Sequence, residues 1–163
     1  MFWICENLSL KGEREKKVRN NPIDLYLEAE SIGVDVYWIE LKADRSMAVQ
    51  LEDDTCAIAI DPWKMETIAD ETVCLAHELG HCKTKSFYNR HTKYDIIKKH
   101  ENRANKWAIK HIIPADKLKE AMENGHSEIW DLAEYFNVTE DFMRMAVCWY
   151  MYGTLETDNY FVS

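Results

Sequence analysis

His77-Glu78-Leu79-Gly80-His81 sets two imidazoles and a carboxylate at a spacing that can hold a metal ion beside a proton acceptor. Residues four apart share one face of an α-helix, so both histidines can bind one zinc ion while Glu78 reaches a water beside it. The chemistry such a set performs is metal-assisted peptide hydrolysis. The motif is short enough to arise by chance, so its surroundings decide. Thr67 to Ala76 lead into it without Gly or Pro, inside an apolar-periodic run from Glu66 to Thr84 that reads as one helix, the rigid support a metal site needs. Gly80 costs about 1 kcal/mol against Ala inside a helix, which points to a close backbone approach between the two histidines.

A third ligand is offered by Glu101. On a helix from about Tyr94 to Ile113, Ile97, Glu101, Ala104, Ala108 and Ile112 form one stripe, so this carboxylate projects from the apolar face. A carboxylate so placed needs a cation or strong donors, and the small Ala104 and Ala108 let the helix pack closely against the His77 helix. Two histidines and one carboxylate leave a position open, as catalytic zinc requires. The competing reading pairs Glu101 with Arg103 or a lysine at the helix edge. His100 and His111 are rival third ligands on the same helix but lie off its central stripe. The same donor set also accepts manganese or iron. His91, in a loop, and His126, in a turn after Gly125, read as solvent-facing or hydrogen-bonding histidines.

The elements that must position these residues are short. Pro22 opens a helix that Gly33 ends. Val34 to Leu41, Met47 to Leu51 and Thr55 to Ile60 read as strands, the last two as a hairpin about Glu52-Asp53-Asp54, giving a small antiparallel sheet ahead of the zinc helix. An edge strand of that sheet is a place where an extended substrate can add, although which strand is the edge is not legible. Between the metal-binding segments, Lys83 to Lys93 is polar and aromatic. Within it Tyr88 and His91 are candidate donors to the oxyanion of the tetrahedral transition state. Three further helices follow Pro114: Ala115 to Asn124, Glu128 to Phe136, and Thr139, as N-cap, to about Tyr152. Leu132 to Ala146 has the cadence of a helix-turn-helix with Asn137 at the turn. Five acidic residues against Arg144 alone over residues 128 to 146 argue against a DNA-reading role, so it is read as a packing unit. Trp107, Trp130, Trp149 and Tyr150 are read as core.

The combination Ala76-His77-Glu78-Leu79-Gly80-His81, Ser86-Phe87-Tyr88-Asn89 and Glu101-Asn102-Arg103-Ala104-Asn105-Lys106-Trp107-Ala108-Ile109, closing on Ile112-Ile113-Pro114, resembles the ImmA/IrrE family of zinc metallopeptidases, in particular its prophage and mobile-element members. The likeness extends to Ile32 to Tyr37 and Ala57 to Asp61 and covers about residues 22 to 150. It implies an α+β, zincin-like fold: a small antiparallel sheet and a zinc-binding helix pair, then a C-terminal helix-turn-helix-like unit. It also implies Zn2+ on His77, His81 and Glu101, Glu78 as general base, and a helix-turn-helix repressor as protein substrate, whose cleavage derepresses neighbouring genes. The division expected is a charged arm over 1–21, a metallopeptidase core over 22–125, the helical unit over 126–152 and a loose tail over 153–163.

The 163 residues, 47% hydrophobic and 30% charged, are one domain's worth of soluble globular chain. A formal net charge of −9 argues against an obligate nucleic-acid binder. Cys5, Cys56, Cys74, Cys82 and Cys148 form an odd set without paired spacing, so reduced thiols are expected. No apolar run reaches membrane-spanning length, and Met1 to Cys5 is too short for a signal core, so a cytoplasmic protein is expected. Two other function classes stand beside the peptidase: a non-proteolytic antirepressor that sequesters its partner with zinc merely structural, and a DNA-binding regulator using Leu132 to Ala146.

Overall fold

A computed structural model describes residues 19–89 and 91–161. Most of the charged arm expected over 1–21 therefore lies outside the described residues, as does Cys5. Asn20, at the arm's end, is tied down: its amide donates to the carbonyls of Ile112 and Phe136, each at 2.7 Å.

The order of elements is α1 (Pro22–Ser31), β1 (Asp35–Trp38), β2 (Ser46–Gln50), β3 (Cys56–Ile60), α2 (Ile68–Thr84), α3 (Tyr94–Ile112), α4 (Ala115–Glu123), α5 (Ile129–Phe136) and α6 (Glu140–Tyr152), with a 3-10 turn at Pro62–Lys64. The architecture is mixed α and β, with a three-stranded sheet of order β1-β3-β2. Contrary to the expectation from sequence, the sheet is not antiparallel throughout. β2 and β3 form the expected antiparallel hairpin, but β1 runs parallel to β3. The cause is the link from β1 to β2, which passes round the end of β3 and delivers β2 to its far side. Asp61 holds that link, its buried carboxylate accepting from the Leu41 amide at 2.9 Å while its own amide donates to the Arg45 carbonyl at 2.9 Å.

Helix α2 begins at a capping box. Thr67 Oγ1 accepts from the Asp70 amide and Asp70 Oδ2 accepts from the Thr67 amide, pairing two of the donors a helix start leaves open. Its far end turns at Lys85, which takes the left-handed conformation with φ 50°. The fully buried Ile58 and Ile60 of β3 lie in one core with Leu75, Ala76 and Leu79 of α2 and Ala108, Ile109 and Ile112 of α3. The same core continues without a break through Leu118 and Ala121 to Leu132, Phe136, Phe142, Met143 and Ala146 of the last helices. Asn137 joins α5 to α6 in the left-handed conformation, and Thr139 Oγ1 caps α6 by accepting from the Phe142 amide.

Three expectations are corrected here. Trp130 is not core but 58% exposed, whereas Trp107, Trp149 and Tyr150 pack half-buried against the core. The tail is not loose over 154–160: Leu155 packs on the core, Lys98 binds Glu156 at 2.9 Å, and the rings of Tyr152 and Tyr160 stack. Cys56 and Cys82 are not reduced but disulfide-bonded, joining the start of β3 to the last turn of α2. Their separation of 26 residues carries no pairing signal, because only the packing of β3 on α2 brings them together. Among the described residues no helix is long and apolar enough to cross a membrane.

Candidate metal centre

The three candidate ligands stand where helices α2 and α3 meet backbone to backbone. A Cβ built on Gly80 would stand 2.5 Å from the Ala104 carbonyl oxygen and 3.0 Å from its Cα. The missing side chain therefore lets the backbones of α2 and α3 touch, and Ala104 supplies the small partner. Glu101, about one turn before Ala104, is thereby brought to His77, about one turn before Gly80, and to His81, the residue after it.

Three side chains converge. The Nε2 atoms of His77 and His81 are 3.0 Å apart, His77 Nε2 is 3.2 Å from Glu101 Oε2, and His81 Nε2 is 3.3 Å from Glu101 Oε1. The other ring nitrogens are committed elsewhere. His81 Nδ1 lies 2.7 Å from the carbonyl oxygen of Ser86, which can only accept, and His77 Nδ1 lies 2.8 Å from Asn105 Oδ1. Both Nδ1 atoms therefore carry the proton, and in the neutral rings both Nε2 atoms present lone pairs to each other and to a carboxylate. Lone pairs at these distances repel unless a cation stands among them. A tetrahedral zinc with bonds of about 2.0–2.1 Å holds its ligand atoms about 3.3–3.4 Å apart, close to the three separations observed. The donor set thus fits zinc, and among the described residues it is the group of three able to hold a metal ion.

The electrostatics carry the same signature. Burial pushes the Glu101 carboxyl up, but hydrogen bonds from His77, His81 and Tyr88 outweigh it and hold it well below the usual carboxylate range. Burial opposes a charged His77, yet the hydrogen bond to Glu101 and the nearby charge of Glu78 move its pKa up. Tyr88 donates to Glu101 Oε1 at 2.5 Å, and burial, that bond and the surrounding carboxylates push its phenol up, so it remains a donor.

These groups floor a cleft of about 590 Å³, walled by Ala43 to Ala48, Cys74, Phe87 and Tyr88. Glu78 lies in it at 5% exposure and accepts from Ser46 Oγ at 2.7 Å. Structure therefore brings His77, Glu78, His81, Glu101 and Tyr88 together. His91 is set apart, exposed in the turn after Asn89 and outside the residues that line the cleft. The rival third ligands lie elsewhere: His111 pairs with Glu28 at 2.6 Å, and the His100 ring flanks Tyr88 with its Nδ1 buried and unpaired.

The supporting residues Asn105, Ser86 and Ser46 were not identified from sequence. Asn105 had a usable signal, since it stands four residues after Glu101 on the same helical face. Ser86 had none, because its part is played by a backbone carbonyl that the Lys85 turn carries back over His81.

Searches among curated proteins and among solved structures find no significant match. The family model of the M78 peptidases, described as the IrrE N-terminal-like domain, matches residues 29–147. That span holds the whole sheet, both site helices and every residue of the metal centre, and the chain belongs to the M78 peptidase family.

Proposed function

We propose that the chain is a zinc-dependent endopeptidase of the cytoplasm that cleaves a helix-turn-helix repressor and so derepresses prophage or mobile-element genes. The observation that carries the peptidase reading is the convergence of three electron-pair donors, His77, His81 and Glu101, beside the buried carboxylate of Glu78 in an open cleft. The repressor as substrate rests on the resemblance of the sequence to ImmA/IrrE proteins.

His77, His81 and Glu101 are the residues that would hold zinc, with Asn105 and the Ser86 carbonyl keeping both rings turned inward. Bound there, zinc supplies Lewis acidity, making a water more acidic and polarising a carbonyl. Glu78 is the general base: it takes a proton from the attacking water and returns it to the departing amine. Tyr88, on the cleft wall with its phenol protonated, is the donor to the oxyanion, in preference to His91, which is not among the residues lining the cleft. β2 is an edge of the sheet and borders the cleft through Ser46, Met47 and Ala48. An extended segment of substrate adds to that edge by main-chain hydrogen bonds. The α5–α6 segment is kept as a packing unit rather than a DNA reader, since its apolar residues join the core and its Arg144 is already paired with Glu140 and Asp141.

The test is zinc content and repressor cleavage for the wild type, Glu78→Gln, His77→Ala and Glu101→Ala. Glu78→Gln keeps about one zinc per chain and loses cleavage, while the two ligand variants lose both. Wild-type cleavage by Glu78→Gln would remove the mechanism. A repressor inactivated without being cut would move the function to sequestration.

A further inference from the structure

We infer that Ser46 is a positioning residue for Glu78, so that the strand bordering the cleft also sets the orientation of the carboxylate that handles the proton. The inference rests on the peptidase reading given above. Ser46 opens β2 opposite Ile60 of β3 in the antiparallel register. The alternation of a strand puts Ser46 on one face with Ala48, which packs on the core, while Met47 and Val49 on the other face are 40% and 38% exposed. A hydroxyl on the inward face needs a polar partner, and Glu78 is that partner.

The backbone that carries this hydroxyl is fixed from several directions. The carbonyl of the preceding Arg45 accepts from the Asp61 amide at 2.9 Å, and the Arg45 guanidinium pairs with Asp70 at 2.9 Å and donates to the Lys64 carbonyl at 3.1 Å. Ser46 therefore reaches α2 from a held point. Glu78, for its part, is a carboxylate almost wholly out of water, where an unaided charge is costly and the side chain has several rotamers to choose from. One donor on Oε1 selects among those orientations and leaves Oε2 for the proton. A substrate segment added to β2 binds the same strand, so docking of the peptide and aim of the base share one support.

The experiment uses the full zinc-loaded chain and, as probe, the fluorescence-quenched peptide that the wild type cuts fastest from a random library. In Ser46→Ala, kcat falls at least about tenfold, the worth of one hydrogen bond to a charged group, while KM stays within about twofold and zinc content is unchanged. Ser46→Thr, which keeps the hydroxyl on a strand-favouring residue, restores kcat. A kcat for Ser46→Ala within about twofold of wild type, a loss carried by KM, or an equal loss in Ser46→Thr would overturn the inference. Crystal structures of the zinc-loaded wild type and Ser46→Ala supply a readout independent of turnover: Glu78 holds one orientation in the first and abandons it in the second. An unchanged Glu78 in Ser46→Ala overturns the inference as well. A zinc-loaded wild type that cuts no library peptide refutes the peptidase reading instead, and the crystallographic comparison then decides Ser46 alone.

Discussion

Gly80→Ala sets two effects of opposite sign against each other. Helix propensity alone makes Ala the better residue inside α2 by about 1 kcal/mol. Packing says the reverse. The new Cβ would stand 2.5 Å from the Ala104 carbonyl oxygen, 3.0 Å from Ala104 Cα and 3.1 Å from its carbonyl carbon. All three atoms are backbone, so no side chain can swing away. An ordinary carbon–oxygen contact begins at about 3.3 Å, so α3 must withdraw from α2 by about 0.8 Å. Overpacking of this kind costs about 1–3 kcal/mol, which after the propensity gain leaves a net loss of about 0–2 kcal/mol. The larger consequence falls on the metal centre. Glu101 rides on α3 and the two histidines on α2, and metal–ligand distances tolerate only about 0.2 Å, a quarter of the forced displacement. Zinc affinity therefore falls by at least about tenfold, comparable to losing a residue that orients a ligand. Urea unfolding of the metal-free chain and competition for zinc against a chromophoric chelator measure the two effects separately. A variant about 1 kcal/mol more stable than wild type with unchanged zinc affinity would refute the reasoning, since it would mean that the helices do not meet at Gly80.

Asn105→Ala removes the acceptor that fixes His77 Nδ1 while leaving every ligand in place, so zinc affinity drops about 10–100-fold, read by the same competition assay, with the fold retained in circular dichroism. The Cys56–Cys82 bond closes a loop of 26 residues, worth about 3.5 kcal/mol in the chain-entropy account, so reduction lowers the unfolding free energy by about that amount. Five titratable thiols in denaturant without reductant would refute the bond. Tyr26, which accepts from Trp38 and donates to Glu71, has its phenol pushed up to about 12 by burial and then by the Glu71 bond. Because this folded value lies above the unfolded value of about 10, the contribution is complete below about pH 10 and is lost as pH rises towards 12. The urea midpoint of Tyr26→Phe accordingly falls less between about pH 9 and about pH 11.5 than that of the wild type, and parallel falls would count against the Tyr26 account.

Much of the site was legible because its logic is local. His77 and His81 share a face through helical periodicity, the Glu101 stripe follows the same period, and Gly80 announced a close approach that Ala104 fulfils. The ends of the last helices were likewise written in local chemistry, with Asn137 at the turn and Thr139 as the N-cap of α6. Periodicity reports which face a residue occupies, and in an α-helix that is enough to pair residues four apart.

Only the tertiary structure decided what depends on elements distant in the chain. It set β1 parallel to β3 by passing the connecting segment round the Asp61 carboxylate, and so made β2 the edge that borders the cleft. It brought Cys56 to Cys82, Ser46 to Glu78, and the Ser86 carbonyl to His81, and it put Tyr88 but not His91 among the residues that line the cleft. The reason is the same in each case. Local pattern determines a residue's face and its element, whereas the partner that face meets is settled by how the sheet and helices close over one shared core.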